Sequence, residues 1–246
     1  MSELSDVAAD IVIVGEVHDH PVHHRNQAKI AAQLRPMALV FEMLTPEQAQ
    51  SALSVDRTDM AALEASLEWS QSGWPEFALY FPIFEAAPDA QIFGAAVSRE
   101  TMRQAISTGA AAAFGQDADE FGLGETLDED EHAARLALQD EAHCGALPAE
   151  MLPGMIEAQR LRDAAFARTA LEALKVTRGP VLIITGNGHA RTDWGVPLAL
   201  RTAAPKVSVV SIGQVADPDT SMPFDRWIVS DALKRDSDPC DAFHSN

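Results

Sequence analysis

Ile11-Val12-Ile13-Val14-Gly15-Glu16-Val17-His18 and Val181-Leu182-Ile183-Ile184-Thr185-Gly186-Asn187-Gly188-His189 are two versions of one phrase, set at opposite ends of the chain. In each, an apolar β-branched run meets a Gly, and a His follows three positions later. A short apolar run without alternation reads as a strand buried on both faces, and the Gly is expected to let the backbone turn sharply. Parallel strands share a direction, so their carboxyl ends line one edge, the edge at which open α/β sheets bind ligands. Two histidines remote in sequence are thereby expected to become neighbours.

Working outward, Ala38–Phe41, Gln91–Val97 and Val207–Ile212 read as further strands. Helices are predicted near His23–Leu34, Arg99–Ser107 and Pro197–Thr202, and Thr45-Pro46-Glu47-Gln48 reads as an N-cap followed by Pro at the first helical position. This βαβα rhythm predicts a mostly parallel central sheet flanked by helices. The middle of the chain differs. Asp117–Glu131 holds eight acids in fifteen residues with Gly122 and Gly124 among them, an exposed loop feeding a helix N-terminus. From Leu127 to Val176 only helical periodicity is visible. The expected organisation is a lead at 1–9 and a single α/β domain over 10–230. That domain includes an all-helical insertion at 117–176 over the carboxyl edge of the strands, and a disordered tail follows at 231–246.

The formal net charge of −19 argues against nucleic acid and anionic membrane as partners, since both would repel this chain. No run approaches the length of a membrane span. Residues 1–10 lack a basic segment followed by an apolar one, so the sequence as written reads as cytoplasmic, or periplasmic if a signal peptide has been removed. The only two cysteines, Cys144 and Cys240, lie in no metal or haem-attachment spacing, and a disulfide framework is not expected. There is no Gly-rich nucleotide loop and no G-x-S-x-G elbow.

Candidate chemistry concentrates at the strand ends. Glu16 and His18 follow the first strand, Glu42 closes the second, and His189 follows the fourth. Two imidazoles with one or two carboxylates suit a divalent ion, zinc, manganese or iron, and also suit general-base catalysis on a bound water. Each member has a plainer reading as well: a strand-end Glu42 can simply accept backbone N–H groups from the next turn. His20, His23 and His24 cluster at the start of the first helix, where capping or solvation is the plainer reading. Arg191 serves either as an anion clamp or as a salt-bridge partner. On the predicted insertion helix, polar Gln159 and Asp163 share the stripe of Met155 and Phe166, so that face should turn toward something polar. His143 ends the preceding helix and can join it. Tyr80, the only tyrosine, sits in the aromatic segment Trp74–Pro82 as core or pocket lining.

These blocks resemble the ChaN-like haem-binding family of the Tiki superfamily. The carriers are Gly15-Glu16-Val17-His18-Asp19 with His23-His24 and Gln27, and Leu39–Met43 with Gln48. Gly73-Trp74 through Tyr80 and Pro82, Gln159-x-x-x-Asp163-x-x-x-Ala167, and Gly186–Arg191 complete the set. The likeness spans roughly residues 10–215 and keeps the order of the blocks. It implies haem as the cofactor, held in a cleft at the strand ends and stacked in a pair across a homodimer. The implied cofactor-binding set is His18, His23, His24, Tyr80, His143, Gln159, Asp163, His189 and Arg191. A Tyr-ligated haem would have to use Tyr80, and otherwise the iron turns to His. Arg25, Arg160, Arg162 and Arg191 are the cations on offer to propionates. The superfamily also holds metal-dependent proteases and relatives of erythromycin esterases. The alternatives are therefore a metal-dependent hydrolase built on Glu16, His18, Glu42 and His189, or a metal-free esterase in which His18 is the base. Whether the protein is an enzyme stays open on this reading.

Overall fold

A computed structural model describes residues 7–217, 223–235, 238, 240 and 241. Parts of the lead at 1–9 and of the tail at 231–246 therefore lie outside the described residues. The chain divides into two compact units, one of Met1–Ala96 with Ala165–Ala232 and one of Val97–Ala164 with Leu233–Asn246.

The first unit is an α/β sheet of six parallel strands: β1 (Ile11–Val14), β2 (Ala38–Phe41), β3 (Gln91–Gly94), β4 (Val181–Ile184), β5 (Val209–Val215) and β6 (Arg226–Val229), in the order β3-β2-β4-β1-β5-β6. Every pairing is parallel. The sheet is thus wholly parallel, and β6 is a strand that sequence reading missed. Val14 pairs with Ile184 and Ile212, and Ile184 pairs with Phe41. One residue beyond this common level stand Gly15, Thr185 and Glu42. The chain leaves β1 toward β2 on one side and leaves β4 toward β5 on the other, so adjacent β1 and β4 mark the point where the winding reverses. That is the usual ligand position of such sheets.

Helix α1 (Pro21–Leu34) begins with Pro in its first turn, and His20 caps it by accepting the Val22 N–H. After β2, α2 (Pro46–Ser51) opens on a full capping box between Thr45 and Gln48. Then come α3 (Met60–Ser66) and α4 (Phe77–Ala86). Val12, Val14, Leu39, Phe41, Leu182, Ile184 and Ile212 form one core with Ile30 of α1 and with Tyr80 and Phe84 of α4. The alternate strand residues Ile11, Ile13, Val40 and Ile183 are equally buried, so the sheet is covered on both faces. Short α9 (Asn187–Ala190) and α10 (Val196–Ala203) follow β4.

The second unit is helical: α5 (Arg99–Thr108), α6 (Ala110–Phe114), α7 (Glu129–Ala142) and the first half of α8 (Leu152–Thr177), whose second half belongs to the first unit. Asp128 caps α7, and Glu129, Asp130 and Glu131 fill its first turn, where carboxylates favour the helix dipole. Cys144 and Cys240 form a disulfide. This corrects the expectation that no disulfide framework forms: at a sequence separation of 96, no spacing rule could announce the pair.

Candidate functional site at the strand ends

The four residues expected to meet at the sheet edge do meet. His18 Nδ1 donates to Glu16 Oε1 at 2.8 Å, and a carboxylate acceptor there places a proton on Nδ1. That Nε2 lies 4.0 Å from Glu42 Oε1, and His189 Nε2 lies 3.8 Å from the same oxygen. The His18 side chain is 36% exposed, whereas those of Glu16 and Glu42 are 0% and 1%. His18 therefore is the member of the group that reaches solvent.

Both carboxylates are held firmly. Glu16 Oε1 also accepts the Tyr80 hydroxyl at 2.9 Å. Its Oε2 has His24 Nδ1 at 3.3 Å, an ion-pair distance whose geometry does not make a hydrogen bond. Glu42 Oε2 accepts from Thr185 Oγ1 at 2.6 Å and from Gly186 N at 2.7 Å. The plainer reading of Glu42, an acceptor for the next turn, thus accounts for one oxygen, while the other faces the two imidazoles. Thr185, Gly186 and Gln27 belong to this network although sequence reading placed none of them among the candidate site residues. Gln27 donates to Val14 O and turns its Oε1 to His24 Nδ1. A polar residue ending the β4 run was the available signal for Thr185.

The two glycines work differently from expectation. Neither Gly15 nor Gly186 has a positive φ; Gly186 sits at φ −66, ψ 153. A Cβ on Gly186 would lie 3.1 Å from both Cε1 and Nε2 of His18, and one on Gly15 would strike the Asn187 side chain. They are needed for close approach of the two loops, which are joined by Asn187 N donating to Glu16 O at 2.8 Å.

His23 and His24 have no ring nitrogen turned outward for a ligand. Val17 N donates to His23 Nδ1 and His23 Nε2 donates to the Ser230 hydroxyl, each at 2.9 Å. His20 stacks on it at 3.9 Å between ring centres and donates from Nε2 to Asp231 O. Burial, then the neighbouring His20 and His24 rings, push the His23 pKa down to about 4, against a smaller upward pull from Asp19. His24 donates from Nε2 to His18 O at 2.8 Å. Arg191 is engaged by Asp193 through Nε and Nη2, at 3.0 and 2.6 Å, and lies over the Trp194 ring. It thus makes the salt bridge that was one of its two readings. His143, Gln159 and Asp163 belong to the second unit. Asp163 is buried there, Gln159 is half-buried, and His143 closes α7 by donating from Nδ1 to Gln139 O.

Among the described residues no group of three or more His, Cys, Asp or Glu side chains is arranged to hold a metal ion. No helix among the described residues is long and apolar enough to cross a membrane.

A wholly parallel sheet carrying a His–Glu cluster at its winding reversal defines the class. The chain belongs to the family described as haem-binding uptake, Tiki superfamily, ChaN, whose model matches residues 4–200. Among solved structures, one titled cofacial heme binding to ChaN of Campylobacter jejuni is similar with a TM-score of 0.65 at 17% identity, covering 88% of this chain and 85% of that one. The type III effector HopBA1 is similar with a TM-score of 0.52 at 11% identity, covering 91% and 88%. At these identities the likeness is one of fold. No curated protein matches the sequence.

The donor set fits haem at one residue and not at another. His18 fits: its Nδ1–H is fixed by a carboxylate, the arrangement that orients imidazoles as metal ligands, and its side chain is partly exposed. Trp74 meets its ring edge-on at 4.8 Å between ring centres, and its chain neighbour Val17 is exposed. Tyr80 does not fit. It is fully buried, its hydroxyl is committed to Glu16, and burial first, with the Glu16 charge next, raises its pKa far above the ordinary phenol value. A phenolate is the form that would ligate ferric iron.

Proposed function

We propose that this protein binds haem at the carboxyl ends of β1, β2 and β4, with His18 Nε2 as the iron ligand. The observation that carries the proposal is the 2.8 Å bond from His18 Nδ1 to the buried Glu16 carboxylate, together with membership of a haem-binding family. Bound haem supplies an iron centre that accepts a nitrogen ligand. The chain supplies the rest. Glu16 selects the tautomer, Tyr80 and His24 hold Glu16, Gly186 lets the His18 ring lie against the β4 loop, and Val17 with Trp74 offers apolar surface. In keeping with the cofacial haem of the Campylobacter jejuni relative, two copies of this chain are expected to pair when loaded. Titrating hemin into the purified protein tests the reading. It expects a Soret band that saturates at fixed stoichiometry, with a rise in sedimentation coefficient on loading. A spectrum that remains that of free hemin would refute it.

The same bond favours one second reading, hydrolysis with His18 as general base and Glu16 as its orienting acid. A metal-dependent version on Glu16, His18, Glu42 and His189 is the other form of that reading. Ester hydrolysis lost in His18→Ala, with folding retained and no response to chelator, would select the metal-free form. Sensitivity to chelator would select the other.

A further inference from the structure

Outside the strand-end site, the chain uses its only two cysteines on each other. Cys144 and Cys240 have Cα atoms 5.5 Å apart, within the range a disulfide needs. A second observation concerns the backbone. Cys144 lies in the left-handed region at φ 58, followed by Gly145 at φ 64, in the tight turn that ends α7. Gly or Asn is the residue such a turn prefers, because a Cβ is disfavoured there. A cysteine at that position is accounted for by what its sulfur does. On the other side, Asp238 shapes the turn that presents Cys240, accepting Cys240 N at its Oδ1 and Asp241 N at its carbonyl.

The segment so held starts at a second fixed point. The Ser230 hydroxyl and the Asp231 carbonyl accept from His23 and His20. Between these ends, Asp231, Ala232, Lys234, Arg235 and Asp238 are exposed. We propose that Cys144–Cys240 is an oxidative maturation site that tethers the C-terminal segment to the turn after α7, and that the mature protein works in an oxidising compartment. The two thiols give up two protons and two electrons to a disulfide oxidant, whose own S–S bond is reduced to two thiols as the new bond forms. A reducing cytosol would not maintain such a bond in an exposed segment. The inference is independent of the haem reading.

Full-length protein, quenched in its own host with acid and a thiol-alkylating reagent, is the material to assay. Expected is a chain with neither cysteine alkylated, which on tryptic digestion without reductant yields peptide 136–160 covalently joined to peptide 236–246. Adding reductant separates the two. In Cys240→Ser, peptide 236–246 should leave without reductant, while hemin binding is unchanged. Alkylation of both cysteines, or mixed disulfides between chains, would overturn the proposal.

Discussion

Protonation of His23 is the perturbation whose size the structure states most directly. Both ring nitrogens are used by a neutral tautomer: Nδ1 accepts Val17 N and Nε2 donates to Ser230. A second proton on Nδ1 would displace that N–H and would place a cation in contact with the stacked His20 ring, beside His24, with Asp19 an acid that moderates it. The folded pKa, about 4, lies below the ordinary 6.5. The folded state therefore binds fewer protons than the unfolded chain as pH falls, and stability is lost from pH 6.5 downward until the loss is complete below about 4. Between pH 7 and pH 5, above most carboxylate titrations, the linkage amounts to about 2 kcal/mol, and screening by nearby solvent brings it to about 1–2 kcal/mol. For a chain of this length that is a fall in Tm of about 3–5 °C. The assay is thermal unfolding followed by circular dichroism at half-unit steps of pH, for wild type and His23→Gln. The variant should be less stable at pH 7 but should show a flatter profile between pH 7 and pH 5. Profiles of equal slope would refute the reasoning.

Other perturbations have equally definite outcomes. Tyr80→Phe removes one donor from a buried carboxylate and should cost about 1.5–3 kcal/mol of stability by denaturant titration, while leaving a saturable hemin complex. Gly186→Ala places a methyl 3.1 Å from two atoms of the His18 ring; hemin affinity should fall about tenfold in an absorbance titration, with stability changed by about 1–2 kcal/mol. Glu16→Gln removes the carboxylate acceptor that fixes the His18 tautomer, and hemin affinity should drop about 10–100-fold. Reducing Cys144–Cys240 opens a long covalent ring and should lower stability by about 2–4 kcal/mol, read as a Tm shift with and without reductant.

The sheet was legible because Ile11–Val14, Ala38–Phe41 and Val181–Ile184 are buried on both faces and carry no polar residue to blur the period. β6 was not, since Arg226-Trp227-Ile228-Val229 alternates half-buried with exposed and begins on an Arg. β5 runs on to Val215 through Gly213, against which the Phe224 ring packs so closely that no Cβ would fit. Nothing local in the sequence gives that contact. At the site, strand-end position was enough to gather Glu16, His18, Glu42 and His189, because register decides it. Hydrogen-bond partners were not legible: Tyr80 reads as core by composition, and only the fold brings its hydroxyl to Glu16 across 64 positions. The two glycines were found for the wrong reason, since close approach between loops leaves no mark in one segment alone.

The central claim is that His18, oriented by Glu16, is where haem attaches. Absorbance titration of hemin into His18→Ala beside wild type, with His143→Ala as a control from the second unit, tests it directly. The account predicts a saturating Soret transition for wild type and the control, and an affinity lower by at least about tenfold with a displaced Soret maximum for His18→Ala. A His18→Ala protein that binds hemin with the wild-type spectrum and affinity would contradict it.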